Sequence, residues 1–233
     1  MSWATRTWGG RRSTGVVRAI RRYVIPVYDH VLVTEPLGAE QRAAIGRLAA
    51  SRLNYTRYHT TALCSPTRQA LLTGRNHHSV GMGSITETAT SAPGNNSLRP
   101  NTKAPLAMTL KLNGYSTAQF GKCHEVPVWQ SSPMGPFDAW PSGGGGFETF
   151  YGFIGGENNQ WDPALYDGTT PVEPPATAEE GYHLTEDLTD RAVSWMRQQK
   201  ALMPDKPFFV YLAYGAAHAP HHVAKEWADG YAG

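Results

Sequence analysis

The chain predicts an α/β layered domain with a largely parallel sheet flanked by helices, and three observations carry that expectation. Runs with helical spacing of apolar residues alternate with short apolar runs bounded by glycine or proline. The last such run, Phe208-Phe209-Val210-Tyr211-Leu212-Ala213, is continuously apolar, as expected of a strand buried on both faces. With 233 residues and 40% hydrophobic content, the chain can bury one sizeable core, and its composition fits neither disorder, collagen nor a disulfide scaffold.

Residues 1–40 read as a divergent, poorly ordered basic leader, and residues 41–233 as one domain. Arg6, Arg11, Arg12, Arg18, Arg21 and Arg22 all precede the first acid, Asp29. This acid-free stretch has the composition of an organelle transit peptide, and equally that of translated sequence under no folding constraint. The net charge is only +2 and is concentrated there, so no nucleic-acid partner is expected. No stretch approaches the roughly 18 consecutive apolar residues of a membrane span, and Val24-Ile25-Pro26-Val27 is too short for a signal core. A soluble, cytoplasmic chain without a membrane partner is the expectation.

A helix is predicted over 40–50, with Ile45, Leu48 and Ala49 on one face, followed by a short strand over 53–58. Pro66 suits the first position of a helix, which predicts a helix over 67–73 with Cys64 beside its amino terminus and Gly74 as its stop. Residues 81–103 have no sustained period and read as a long ordered loop. A short helix over 105–113 ends at Gly114. Tyr115 to Phe120 then form a strand that runs into Gly121-Lys122-Cys123-His124. The stretch 126–175, rich in glycine, proline and aromatics, reads as irregular surface structure. Leu184, Leu188, Ala192, Trp195 and Met196 give an amphipathic helix to about Lys200, ended by Pro204.

In such sheets ligands bind outside the carboxyl ends of strands, where Lys122, His124 and His218 all fall. The amino terminus of the helix after Cys64 offers free amides and a favourable dipole to an anion. Taken alone, Cys64 also reads as an ordinary buried thiol, Lys122 and His124 as a solvated strand exit, and His218 as a capped turn histidine. The pairs His77-His78 and His221-His222 look like metal ligands, but adjacent side chains point in different directions. With only two cysteines, Cys64 and Cys123, no structural disulfide is expected.

The run Cys64-Ser65-Pro66-Thr67-Arg68, continued by Leu71-Leu72-Thr73-Gly74-Arg75, resembles the signature of the type I sulfatases, Cys-x-Pro-x-Arg, whose cysteine is oxidised to formylglycine. Gly121-Lys122-Cys123-His124 is similar to that family's Gly-Lys-x-His element, and Gly215 to Pro220 to its Gly-x-x-His-x-Pro element. The likeness runs from about Ile45 to Gly233. Residues 74–83 and 125–130 point to the subgroup of large bacterial arylsulfatases. Cys123 departs from the tryptophan usual at that position.

This resemblance implies an alkaline-phosphatase-like layered domain, here incomplete at both ends, with 41–233 as a partial sulfatase catalytic domain. The activity it implies is arylsulfatase-type hydrolysis of a sulfate-ester small molecule, after a formylglycine-generating enzyme has modified Cys64. The hydrated aldehyde attacks sulfur; Arg68 stabilises the ionised nucleophile, Lys122 holds sulfate oxygens, His124 assists elimination and His218 protonates the leaving alkoxide. It also implies calcium, held by an Asp-Asp pair, the modified cysteine and an Asp-Asn pair. Neither pair occurs in this sequence, and Asp29 is at best a weak substitute. The expectation is a truncated form with weak or no activity. The alternatives are a non-catalytic remnant or interaction-only chain, and a phosphonate or phosphate-ester hydrolase of the same superfamily.

Overall fold

The computed structural model describes residues 59–229. The leader, Asp29, the helix expected over 40–50 and the strand expected over 53–58 lie outside the described residues.

Five strands form one sheet in the order β4-β3-β2-β1-β5. Its centre is β1, Ser116–Cys123, in which all eight residues are buried. On one side β1 pairs in parallel with β2, Thr149–Ile154, and on the other with β5, Phe208–Ala213. The short strands β3, Leu165–Asp167, and β4, Thr170–Val172, extend the sheet as an antiparallel hairpin. Gly121 faces Gly152 on β2 and Ala213 on β5. A Cβ at Gly121 would stand 2.0 Å from the Ala213 oxygen, so the backbones close at this point only because there is no side chain.

Strands β2, β3 and β4 correct the reading of 126–175 as irregular surface. Thr149 to Ile154 holds four buried residues in succession and sends its aromatics to both faces of the sheet. Tyr151 and Phe153 pack with Ala118, Phe120 and Val210, while Phe150 packs with Cys123, Val126 and Trp140. Gly152 interrupts the apolar run and, with the surrounding glycines and prolines, gives a strand the composition of a loop. Trp140 is also core: it has no solvent exposure, and its indole N–H donates to the Gln130 carbonyl at 2.6 Å.

Helices cover both faces. The long helix α3, Leu184–Leu202, buries Leu184, Leu188 and Ala192 against one face. Its start is set by His183, whose side chain accepts from the Thr185 amide, and by Glu186 and Asp187 in the first turn. Leu72 of α1, Cys64–Thr73, and Ala107 of α2, Leu106–Leu112, pack against Tyr211 and Ala213 on the other. A last short helix, α4, spans Lys225–Asp229.

Helix α1 begins three residues before the expected start. Its first-turn amides have no intrahelical acceptors, so Pro66 loses nothing by sitting in that turn, and Cys64 becomes its first residue. Gly74 ends it with φ 65°, donating its N–H to Ala70. Strand β5 is less enclosed than expected: Val210, Tyr211 and Ala213 are buried but Phe208, Phe209 and Leu212 only half so. Among the described residues its only strand neighbour is β1. No described helix is long and apolar enough to cross a membrane.

Candidate active site

Because β1, β2 and β5 are parallel, their carboxyl ends lie on one edge, with Cys123 opposite Ile154 in register. His124 follows β1 at this edge. The amino terminus of α1 comes to the same point, since Cys64 Sγ is hydrogen-bonded to His124 Nδ1 at 2.8 Å. Two segments 60 residues apart in sequence thereby meet side chain to side chain.

His124 is held from its other nitrogen as well. Its Nε2–H donates to the Glu87 carboxylate, whose two oxygens lie at 2.8 and 2.9 Å. Glu87 stands in a single 3-10 turn, Thr86–Thr88, within the long loop after α1. Gly156, just after β2, packs on the same ring: a Cβ there would be 2.8 Å from His124 Cε1. The imidazole is thus almost fully buried and fixed on three sides.

Electrostatics follow from these contacts. Burial pushes the Cys64 thiol up, but the His124 hydrogen bond, with the positive charges of His124 and Lys122, brings it below the ordinary thiol value. Burial lowers His124, yet its contacts with Cys64 and Glu87 raise it overall. Glu87 is lowered, since backbone and His124 contacts outweigh its desolvation. Each contact therefore shifts its partner toward the charged form.

Arg68 and Lys122 are both completely buried beneath this edge. Arg68 projects from α1 toward the sheet, where Nη1 donates to the Lys122 carbonyl at 3.2 Å and to the Tyr211 hydroxyl at 3.3 Å. Gln119 also donates to the Lys122 carbonyl, at 3.2 Å. The charge of Lys122 acts on Cys64, and that of Arg68 on Cys123.

His218 comes from the loop after β5 and is half-exposed. Its Nδ1 lies 2.8 Å from the Ala219 oxygen and 4.0 Å from Glu157 Oε2. Glu157 adjoins Gly156, so His218 borders the same edge. Cys64, Lys122 and His124 thus sit together, Arg68 supports them from below, and His218 stands at the margin.

Glu87 was not identifiable from sequence. It lies 37 residues from His124 in a polar loop without period, and only the chain's path brings the two together. The histidine pairs have other bonding. His77 Nδ1 lies 3.1 Å from the Met82 oxygen. His222 accepts at Nδ1 from the Gln160 amide at 3.4 Å, and His183 Nε2–H donates to the His222 carbonyl at 3.2 Å.

Among the described residues, no group of three or more His, Cys, Asp or Glu could hold a metal ion. Around Cys64 the nearest charged groups are Lys122 and His124, and both Glu87 oxygens are directed at His124. A hard dication needs several oxygens, so the described residues do not fit the calcium implied by the sequence resemblance. Cys64 and Cys123 are free thiols.

Comparison with known proteins bears on the family and the fold. The sulfatase family model matches residues 37–233. An uncharacterized sulfatase of Schizosaccharomyces pombe is 27% identical over 218 residues, covering 85% of this chain and 37% of that protein. An arylsulfatase of Klebsiella aerogenes is 24% identical over 196 residues, covering 80% of this chain and 40% of its own length. The crystal structure of Ps i-CgsB superposes with a TM-score of 0.53 at 26% identity, over 70% of this chain and 36% of that one. The PsFucS1 sulfatase from Pseudoalteromonas sp., 19% identical over 79% of this chain and 40% of its own, shares the fold with a TM-score of 0.55. The chain therefore spans well under half the length of these relatives.

Proposed function

Because the chain belongs to the sulfatase family, of the formylglycine-dependent type I and the alkaline-phosphatase-like superfamily, we propose that it is part of an arylsulfatase-type catalytic domain that hydrolyses sulfate monoesters through a formylglycine made from Cys64. The observation that carries this reading is the contact of Cys64 with His124, at 2.8 Å, above two fully buried cations. Residues 41–233 make up the catalytic part in this proposal, and 1–40 a leader.

An aldehyde at residue 64, once hydrated, supplies one hydroxyl to attack sulfur and a second whose deprotonation ejects sulfate. Lys122 and Arg68 offset the charge of the sulfate oxygens and of the ionised nucleophile, at no reorganisation cost because both are already buried in place. His124, oriented by Glu87, presents Nδ1 to the residue-64 side chain and takes up the proton released there. His218, at the margin and half-exposed, donates a proton to the departing alkoxide. Its exposure suits that role, because the leaving group extends outward.

The competing reading is a non-catalytic remnant or interaction-only chain. One assay separates the two. The chain co-expressed with a formylglycine-generating enzyme should hydrolyse a chromogenic aryl sulfate, with or without added calcium, and Cys64→Ala should abolish turnover. Rates no higher than those of Cys64→Ala under both conditions would overturn the enzymatic reading.

A further inference from the structure

We propose that Cys64, His124 and Glu87 give the unmodified chain a second activity, hydrolysis of activated carboxylic esters through an S-acyl intermediate on Cys64. A nucleophile, a base within hydrogen-bond reach and a third group orienting the base are what covalent catalysis by a thiol requires. All three are present. Cys64 Sγ lies 2.8 Å from His124 Nδ1, and His124 Nε2–H donates to Glu87 at 2.8 Å. Because the carboxylate can only accept, it keeps the proton on Nε2 and leaves Nδ1 to serve the thiol.

The surroundings supply the remaining parts. Cys64 is half-buried, so a small ester can reach it, whereas Cys123 is sealed in the core. Helix α1, ten residues long, has no side chain capping its amino terminus. Ser65 Oγ, fully buried beside the nucleophile, has no hydrogen-bond partner among the described residues. Uncapped amides at this helix start are donors for a carbonyl oxygen that gains negative charge.

The reaction balances without any other reagent than water. The sulfur attacks the carbonyl carbon while its proton passes to His124 Nδ1. The carbon–oxygen bond then breaks, and the alcohol leaves with that proton. Next, water gives a proton to His124 as its oxygen attacks the thioester carbon. The carboxylic acid leaves and the proton returns to sulfur. Ester and water become acid and alcohol, and the enzyme is unchanged.

The test uses the full chain made without a formylglycine-generating enzyme, with the thiol at residue 64 verified by mass. Given 4-nitrophenyl acetate, it should release a burst of nitrophenolate and carry an acetyl thioester on the Cys64 peptide. Cys64→Ala should lower the rate about a hundredfold, and Glu87→Gln about tenfold in kcat with KM little changed. Equal rates in wild type and Cys64→Ala, or acetyl groups found only on lysines, would overturn the proposal. If Cys64→Ala fails to fold by circular dichroism, the thioester on the wild-type chain decides instead: its presence supports the proposal and its absence refutes it. The result is independent of the sulfate-ester reading, which concerns the aldehyde form and another substrate.

Discussion

Cys64 and Cys123 are the chain's two cysteines, both free, on adjoining elements, and driven in opposite directions. Burial is the largest single influence on each and raises both. What differs is the sign of the partner. Cys64 meets His124 and the charge of Lys122, which bring it below the ordinary thiol value. Cys123 donates from Sγ to Glu125 Oε2 at 3.0 Å, and that carboxylate's charge adds to complete burial to hold it well above. The two sulfurs diverge because charges alternate along a single strand end, Lys122, Cys123, His124, Glu125, and are directed to different sides.

The largest expected effect is selectivity between the two. Iodoacetamide at neutral pH should label Cys64 at least about a hundredfold faster than Cys123, which needs the fold to open first. Labelled-peptide mass spectrometry reads this, and equal labelling of the native chain would break the comparison.

Removing the partner should narrow the gap. His124→Ala takes away the main lowering influence and should slow Cys64 alkylation at pH 7 about tenfold, leaving Cys123 as slow as before. The sign in pH follows from the same contact. Alkylation rises as the thiol ionises, so the wild-type inflection lies below the ordinary thiol value of 9.0, and in His124→Ala it moves up. An unmoved inflection would show that His124 does not control this thiol.

A smaller effect, roughly threefold to fivefold, is expected from Gly156→Ala. The new methyl would fall 2.8 Å from His124 Cε1 and push the ring away from Cys64. Its test is the same labelling rate, with unchanged far-ultraviolet circular dichroism as the control. Smallest of all, Glu125→Gln should leave Cys64 labelling within about twofold, since Glu125 acts on the other sulfur.

The fold was legible where one pattern ran without interruption. Strand β5 and helix α3 are an apolar run and a helical stripe, and the structure reproduces both within two residues. Strand β2 was not, because Gly152, needed for the close approach of β1, makes a buried strand look like a loop. At the site, Cys64, Lys122, His124 and His218 could be named from their likeness to sulfatase motifs, while their places at a helix start or strand ends left other readings open. Glu87 could not, since its role comes from where a loop folds back. That Cys123 opposes Cys64 electrostatically was also hidden: the sequence shows Glu125 two positions on, but not that the two side chains share one buried face.

In the proposed function, residue 64 is the site of formylglycine formation and hence the nucleophile for sulfate esters. Co-expression with a formylglycine-generating enzyme, followed by peptide mass spectrometry and hydrazide trapping, tests it most directly. The expected result is an aldehyde on the peptide carrying residue 64 and an intact thiol on the peptide carrying Cys123. An unmodified thiol at both positions would contradict it.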